Sequence, residues 1–155
     1  MTGFEEAVRS SDDLRDGLRT GLDALLPADK NRLMVTHSRR LRGSVDIDGH
    51  LRSKHPQSPR WDYAVGYQAV EDETSTEKVY WVEVHSATEG EVSAVLEKLR
   101  WLQEWISKNA PRLSKMEGEF VWIASGKTSI SPTSPKRRLM AKAGLKLVGG
   151  KLKIG

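Results

Sequence analysis

Residues 79–124 confine this chain to few architectures. Val92, Val95, Leu96, Leu99, Leu102 and Ile106 recur at helical spacing as one apolar stripe. Before the stripe stands Val79-Tyr80-Trp81-Val82-Glu83-Val84-His85. After it, past Pro111, comes Gly118-Glu119-Phe120-Val121-Trp122-Ile123-Ala124. Strand, helix and strand in that order imply a parallel pair joined by a crossover helix. The second run is nearly all apolar, as expected of a strand covered on both faces. Thr88-Glu89-Gly90-Glu91 fits a capping box at the start of the helix.

A further strand, Trp61 to Val70, lies ahead of this unit, separated by the polar stretch Glu71 to Lys78. The simplest connection is an antiparallel hairpin, which makes the sheet mixed. Leu14, Leu18, Leu22, Leu25 and Leu26 predict a helix through Phe4 to Leu26, ended by Pro27. Arg32 to Thr36 reads as a short strand or connection. Arg42 to Leu51 reads as a strand entering a turn at Asp48-Gly49. Asp46, Asp48 and His50 alternate with the spacing of metal ligands on one strand face, but the Asp-x-Asp-Gly turn explains them better. Ser134-Pro135 predicts the start of a short helix that Gly144 ends. Leu145 to Val148 and Lys151 to Ile154, around Gly149-Gly150, predict a hairpin. The expected fold is α/β (α+β): a mixed central sheet flanked by helices, in one domain over residues 1–155, with a C-terminal helix and hairpin.

The 155 residues are 37% hydrophobic and 30% charged, and no apolar run approaches the roughly 18 residues of a membrane span. There is no cysteine, which excludes disulfides and thiolate chemistry. An acidic start without an apolar signal core makes the cytoplasm the expected location and a membrane an unexpected partner. From Ser107 onward eleven Lys or Arg face only Glu117 and Glu119, whereas the whole chain is only +4. A second basic group runs from Lys30 to Arg60. Such an imbalance suits a polyanionic partner.

Two acids stand inside apolar, strand-like segments: Asp62 and Glu83. A carboxylate there is costly unless it is paired, hydrogen-bonded or bound to a metal. Glu83 and His85 are two residues apart and share one strand face. Trp101 and Trp105 lie one turn apart on the flank of the main helix; the spacing favours core packing over base stacking. Gly126-Lys127-Thr128 lacks the earlier glycine of a phosphate loop, because Val121 stands there.

This order of elements, with Asp62 near the start of the second core strand and Glu83 on the third, resembles the PD-(D/E)XK nuclease superfamily, whose core runs αβββαβ. The resemblance covers roughly residues 4–124, with residues 125–155 as a basic addition. It implies a restriction-endonuclease-like core that hydrolyses nucleic-acid phosphodiesters. It also implies Mg²⁺ or Mn²⁺ held by Asp62, Glu83 and the backbone carbonyl of Val84. Arg60, Lys127, Lys136, Arg137 and Arg138 are then expected to meet nucleic-acid phosphates. The superfamily places Lys where this chain has His85, and Trp61 stands in place of its Pro. His85 is therefore the expected third catalytic residue, with Lys98 or Lys54 as a displaced lysine and Glu5, Glu6 or Asp23 as an added acid. The alternative is a catalytically inactive module of the same fold that binds nucleic acid, a protein partner or a second copy.

Overall fold

The computed structural model describes residues 3–71 and 74–155, and the side chains among them except those of 70, 71, 74 and 75. Five strands form the central sheet in sequence order: β2 (Leu41–Asp46), β3 (Tyr63–Glu71), β4 (Thr74–His85), β5 (Gly118–Ala124) and β6 (Leu145–Gly149). The first three are antiparallel neighbours. β4, β5 and β6 are parallel, so the expected mixed sheet is present. The polar stretch Glu71 to Lys78, expected as a turn, is mostly strand instead: the pairing of β3 and β4 runs on to Glu71↔Thr74, and positions 72–73 lie outside the described residues.

The crossover helix is α4 (Val92–Asn109). Its stripe packs on one face of the sheet with Trp61, Ala64, Trp81 and Trp122. α1 (Gly3–Arg9), α5 (Pro111–Ser114) and α6 (Pro135–Lys142) add Phe4, Leu113 and Met140 to the same core. The other face is covered differently from expectation. There a two-stranded parallel ribbon of β1 (Leu33–Val35) and β7 (Leu152–Ile154) packs against Val65, Val82, Val121 and Ile123.

Several local expectations are corrected. The N-terminal helix stops at Arg9, and Pro27 opens the helical turn α2 (Pro27–Lys30) instead of ending a helix. Gly21 takes φ +54°, and Arg19 exchanges both backbone hydrogen bonds with Ser44 at 2.9 Å, adding a bridge to the edge of β2. That pairing outweighs the helical spacing of the leucines, though Leu14 and Leu25 remain buried. Asp48-Gly49 is not a hairpin turn: Asp46 caps α3 (Ile47–Leu51), its Oδ1 accepting the Gly49 N–H at 2.9 Å. The C-terminal hairpin is absent. β6 is held by β5, and β7 finds β1, burying Leu152 and Ile154 and leaving Lys153 exposed. The alternation was legible, but its partner lies more than a hundred residues away.

The capping box is also absent. Thr88 makes no side-chain cap, and the Glu91 carboxylate is engaged elsewhere. Ser134 does cap α6, accepting the Lys136 N–H at 3.2 Å, and Gly144 at φ +77° follows its end.

Gly66 on β3 admits the ring of Phe4 directly over its Cα, where a Cβ would overlap the aromatic carbons. Gly66→Ala is expected to cost about 1–3 kcal/mol of stability through overpacking. Urea unfolding measures it; an unchanged midpoint would show that α1 does not seat there.

Candidate functional site

β3 and β4 part company at one point. Their pairing ends at Tyr63↔Val82, so Glu83, Val84 and His85 have no β3 partner on that edge. Asp62 occupies the opening. Its backbone is held from behind by the first turn of α3: Ile47 N–H and Asp48 N–H both donate to the Asp62 carbonyl, at 2.9 and 3.3 Å. Its side chain then crosses to β4, where Oδ2 accepts the Val84 N–H at 2.9 Å. Glu83 returns the contact, its Oε1 accepting the Asp62 N–H at 3.1 Å. The two acids are thus locked to each other through backbone amides. Because N–H and C=O of one strand residue face the same side, the Val84 carbonyl lies on the Asp62 edge.

Glu83 is 0% exposed. Its Oε2 accepts from the Lys98 ammonium at 2.6 Å. Lys98 stands on α4, whose apolar stripe fixes the helix on the sheet and turns this flank toward β4. Of the two displaced lysines considered, the structure brings Lys98 to the acids, whereas Lys54 pairs with Asp13.

Burial sets the electrostatics. It pushes the Glu83 carboxyl up to about 8, with the Asp62 charge adding and Lys98 opposing. Burial likewise lifts Asp62 to about 6, against the Val84 N–H and Lys98, with Asp48 and Asp29 raising it further. Lys98 is held above its ordinary value because its attraction to Glu83, Asp62 and Asp48 exceeds the opposing effect of burial, the largest single influence on it. Burial thus disfavours ionising both acids at once, a tendency that a bound cation would oppose.

His85 shares the Glu83 face, as expected, but its ring turns to the helix. Nε2 meets Glu91 Oε2 at 2.7 Å, and its carbonyl accepts from Trp122 Nε1 at 3.0 Å. Arg60 is beside the acids with its side chain 12% exposed, Nε on Asp48 Oδ1 at 3.0 Å. The other basic residues gather beyond the His85 end of β4. Lys127 is exposed in the loop whose Ser125 and Ser129 N–H groups reach the carbonyls of His85 and Ala87. Lys136 donates to the Glu89 carbonyl at 2.7 Å, Arg137 is partly buried and Arg138 is exposed. Glu6 pairs with Arg112 and Asp23 with Lys30, while Glu5 lies on α1.

Sequence reasoning did not foresee Glu91, Asp48 or Asp29 as neighbours of the site. Asp29 reaches it by accepting the Tyr63 hydroxyl at 2.6 Å. The spacing of Glu91 and Lys98, seven residues apart on one helix line, was the available signal for the first.

Hard oxygen donors such as these suit Mg²⁺ or Mn²⁺. The Asp62 carboxylate accepts the Val84 N–H through Oδ2, and among the described residues Oδ1 has no hydrogen-bond partner, which leaves it open to a cation. Among the described residues no three His, Asp or Glu converge as a ready metal cage, so a cation there would keep waters. Among them, too, no helix is long and apolar enough to cross a membrane. No family model matches this chain, and no curated protein or solved structure matches it.

Proposed function

We propose that this chain is a metal-dependent phosphodiesterase acting on nucleic acid, built on a nuclease-like αβββαβ core. What carries the reading is the meeting of Asp62, Glu83 and Lys98 at the point where β3 leaves β4. Asp62, Glu83 and the Val84 carbonyl would hold the cation. Bound there, it would neutralise charge developing on phosphate oxygens and acidify an attacking water.

The chain's own groups do the rest. The Val84 and Asp62 amides fix the two carboxylates without using all their lone pairs. Lys98 takes the place of the motif lysine from the helix instead of the strand, and orients the attacking water by donating to it. His85, held by Glu91, flanks the site. Arg60 stiffens the wall by holding Asp48, and the exposed Lys127 and Arg138, with Lys136 and Arg137 behind them, attract the polyanion. Affinity for nucleic acid should therefore fall steeply with salt.

The test is cleavage of DNA and RNA with Mg²⁺ or Mn²⁺ by the native protein and by Asp62→Ala and Glu83→Ala. Both variants should lose activity while staying folded by circular dichroism. Cleavage that persists in both sinks the assignment.

A second reading rests on one observation: both Glu83 oxygens are already engaged, by the Asp62 amide and by Lys98. In that case Lys98 replaces the metal, and the chain is an inactive module that binds nucleic acid or a protein partner. Calorimetry separates the two, because this reading requires no divalent-cation heat while a partner still binds.

A further inference from the structure

Glu91, Lys98 and Trp105 stand seven residues apart, one line at the start and along the flank of α4. Their partners on facing elements are His85, Glu83 and His55. The acids thus sit midway along a flank whose far end is aromatic. There the Trp101 and Trp105 rings stack, centroids 6.1 Å apart and planes 20° from parallel. His55 stands edge-on to both, at 6.0 and 6.4 Å. Trp105 Nε1 donates to His55 Nε2 at 3.3 Å, which fixes the pair's orientation.

The two indoles are not equally enclosed. Trp105 belongs to the core, as the spacing predicted, but Trp101 is only partly buried against it. A shallow cavity of about 150 Å³ opens beside them, lined by Trp101, Glu104, Trp105, Lys108 and Asn109. Cations stand at this end, with Glu104 as the acid in the cavity lining. Lys108 is exposed on the cavity rim, and Arg52 and Lys54 project from the segment that carries His55. The latter two pair with Asp48 and Asp13, but their own side chains stay 65% and 63% exposed.

We propose that Trp101, backed by Trp105, is a stacking platform for an unpaired nucleobase of the strand whose phosphate enters the Asp62–Glu83–Lys98 site, an inference that rests on the phosphodiesterase reading. A base ring has an apolar face to cover the exposed part of the indole, and the strand's phosphates meet Lys108, Arg52 and Lys54. At 1.5 Å of rise per residue, Trp101 and Trp105 lie about 5–10 Å along α4 from Lys98. That is about one to three stacked nucleotides of ~3.4 Å each. The platform therefore selects single-stranded or frayed nucleic acid over intact duplex, with little preference among bases.

The test is fluorescence anisotropy with a labelled oligothymidylate and an abasic oligomer of equal charge, without divalent metal. The native protein should bind the base-bearing strand about tenfold more tightly than the abasic one, the size expected for one stacked base. Trp101→Leu should remove that difference and Trp101→Phe restore most of it. Equal binding of the two oligomers by the native protein overturns the proposal even if Trp101→Leu fails to fold. So does a folded Trp101→Leu that keeps the difference, or a native protein that binds neither strand. Cleavage by Asp62→Ala is measured in parallel. Base-selective binding with no Asp62-dependent cleavage removes the phosphodiesterase reading and keeps the platform. Asp62-dependent cleavage with no base selectivity does the reverse.

Discussion

Lys98→Ala is expected to lower Mg²⁺-dependent cleavage by about 10²-fold or more, the usual scale for losing a positioned proton-transfer or water-orienting group. His85→Ala should change it less than tenfold, because the imidazole is turned to Glu91 and away from Glu83. The contrast tells whether Lys98 or His85 orients the water. If His85→Ala is the damaging substitution and Lys98→Ala is mild, the water-orienting role passes back to the strand. Lys98→Ala should also unsettle the fold. The buried Glu83 carboxyl loses a hydrogen-bond partner, which costs about 1–3 kcal/mol. The Lys98 side chain is 24% exposed, so water replaces part of the contact and the lower half of that range is expected. Urea denaturation beside the cleavage assay separates a folded, inactive variant from an unfolded one.

The metal-free protein should lose stability as pH rises from about 5 to about 8. Asp62 and Glu83 have folded-state values lifted by burial to about 6 and about 8, above those of an unfolded chain. Between the two sets of values the native state holds more protons than the unfolded state. Stability then falls with rising pH, by up to about 1.4 kcal/mol per unit for each extra proton. This is opposite to the usual salt-bridged carboxylate, whose stability is lost toward acid. A bound cation favours the ionised acids, so Mg²⁺ or Mn²⁺ should flatten or reverse the slope, and its affinity should rise through the same interval. Thermal melts across pH, with and without metal, measure both effects. A metal-free melting temperature that climbs from pH 5 to 8 would show that the pair is ionised and satisfied by Lys98 alone, which is the inactive-module reading.

Asp62 and Glu83 were legible because they violate a rule. Charged residues in apolar strands need a reason, and the backbone N–H groups of Asp62 and Val84, which donate to Glu83 and Asp62, supply part of it. Lys98 was visible only as one of two candidates. On its helix it looks like any solvated lysine, and only the docking of α4 brings its ammonium to 2.6 Å from Glu83. Glu91 was misread as a helix cap because the local pattern allowed it, whereas the imidazole offered by β4 is a tertiary contact.

Periodicity by itself determined the central unit. Alternating and continuous apolar runs around the α4 stripe leave a strand, a crossover helix and a strand little choice. The tertiary structure decided everything that depended on distant partners. Arg19 left a helical pattern to bridge Ser44, and β7 abandoned its neighbouring strand for β1. Asp62, Glu83 and Lys98 became a site because the sheet opens at Tyr63↔Val82, directly under one flank of α4. The physical reason is common to all three. Local spacing specifies which face of an element is apolar, but hydrogen bonds and charges are satisfied by whatever the packed faces bring within reach.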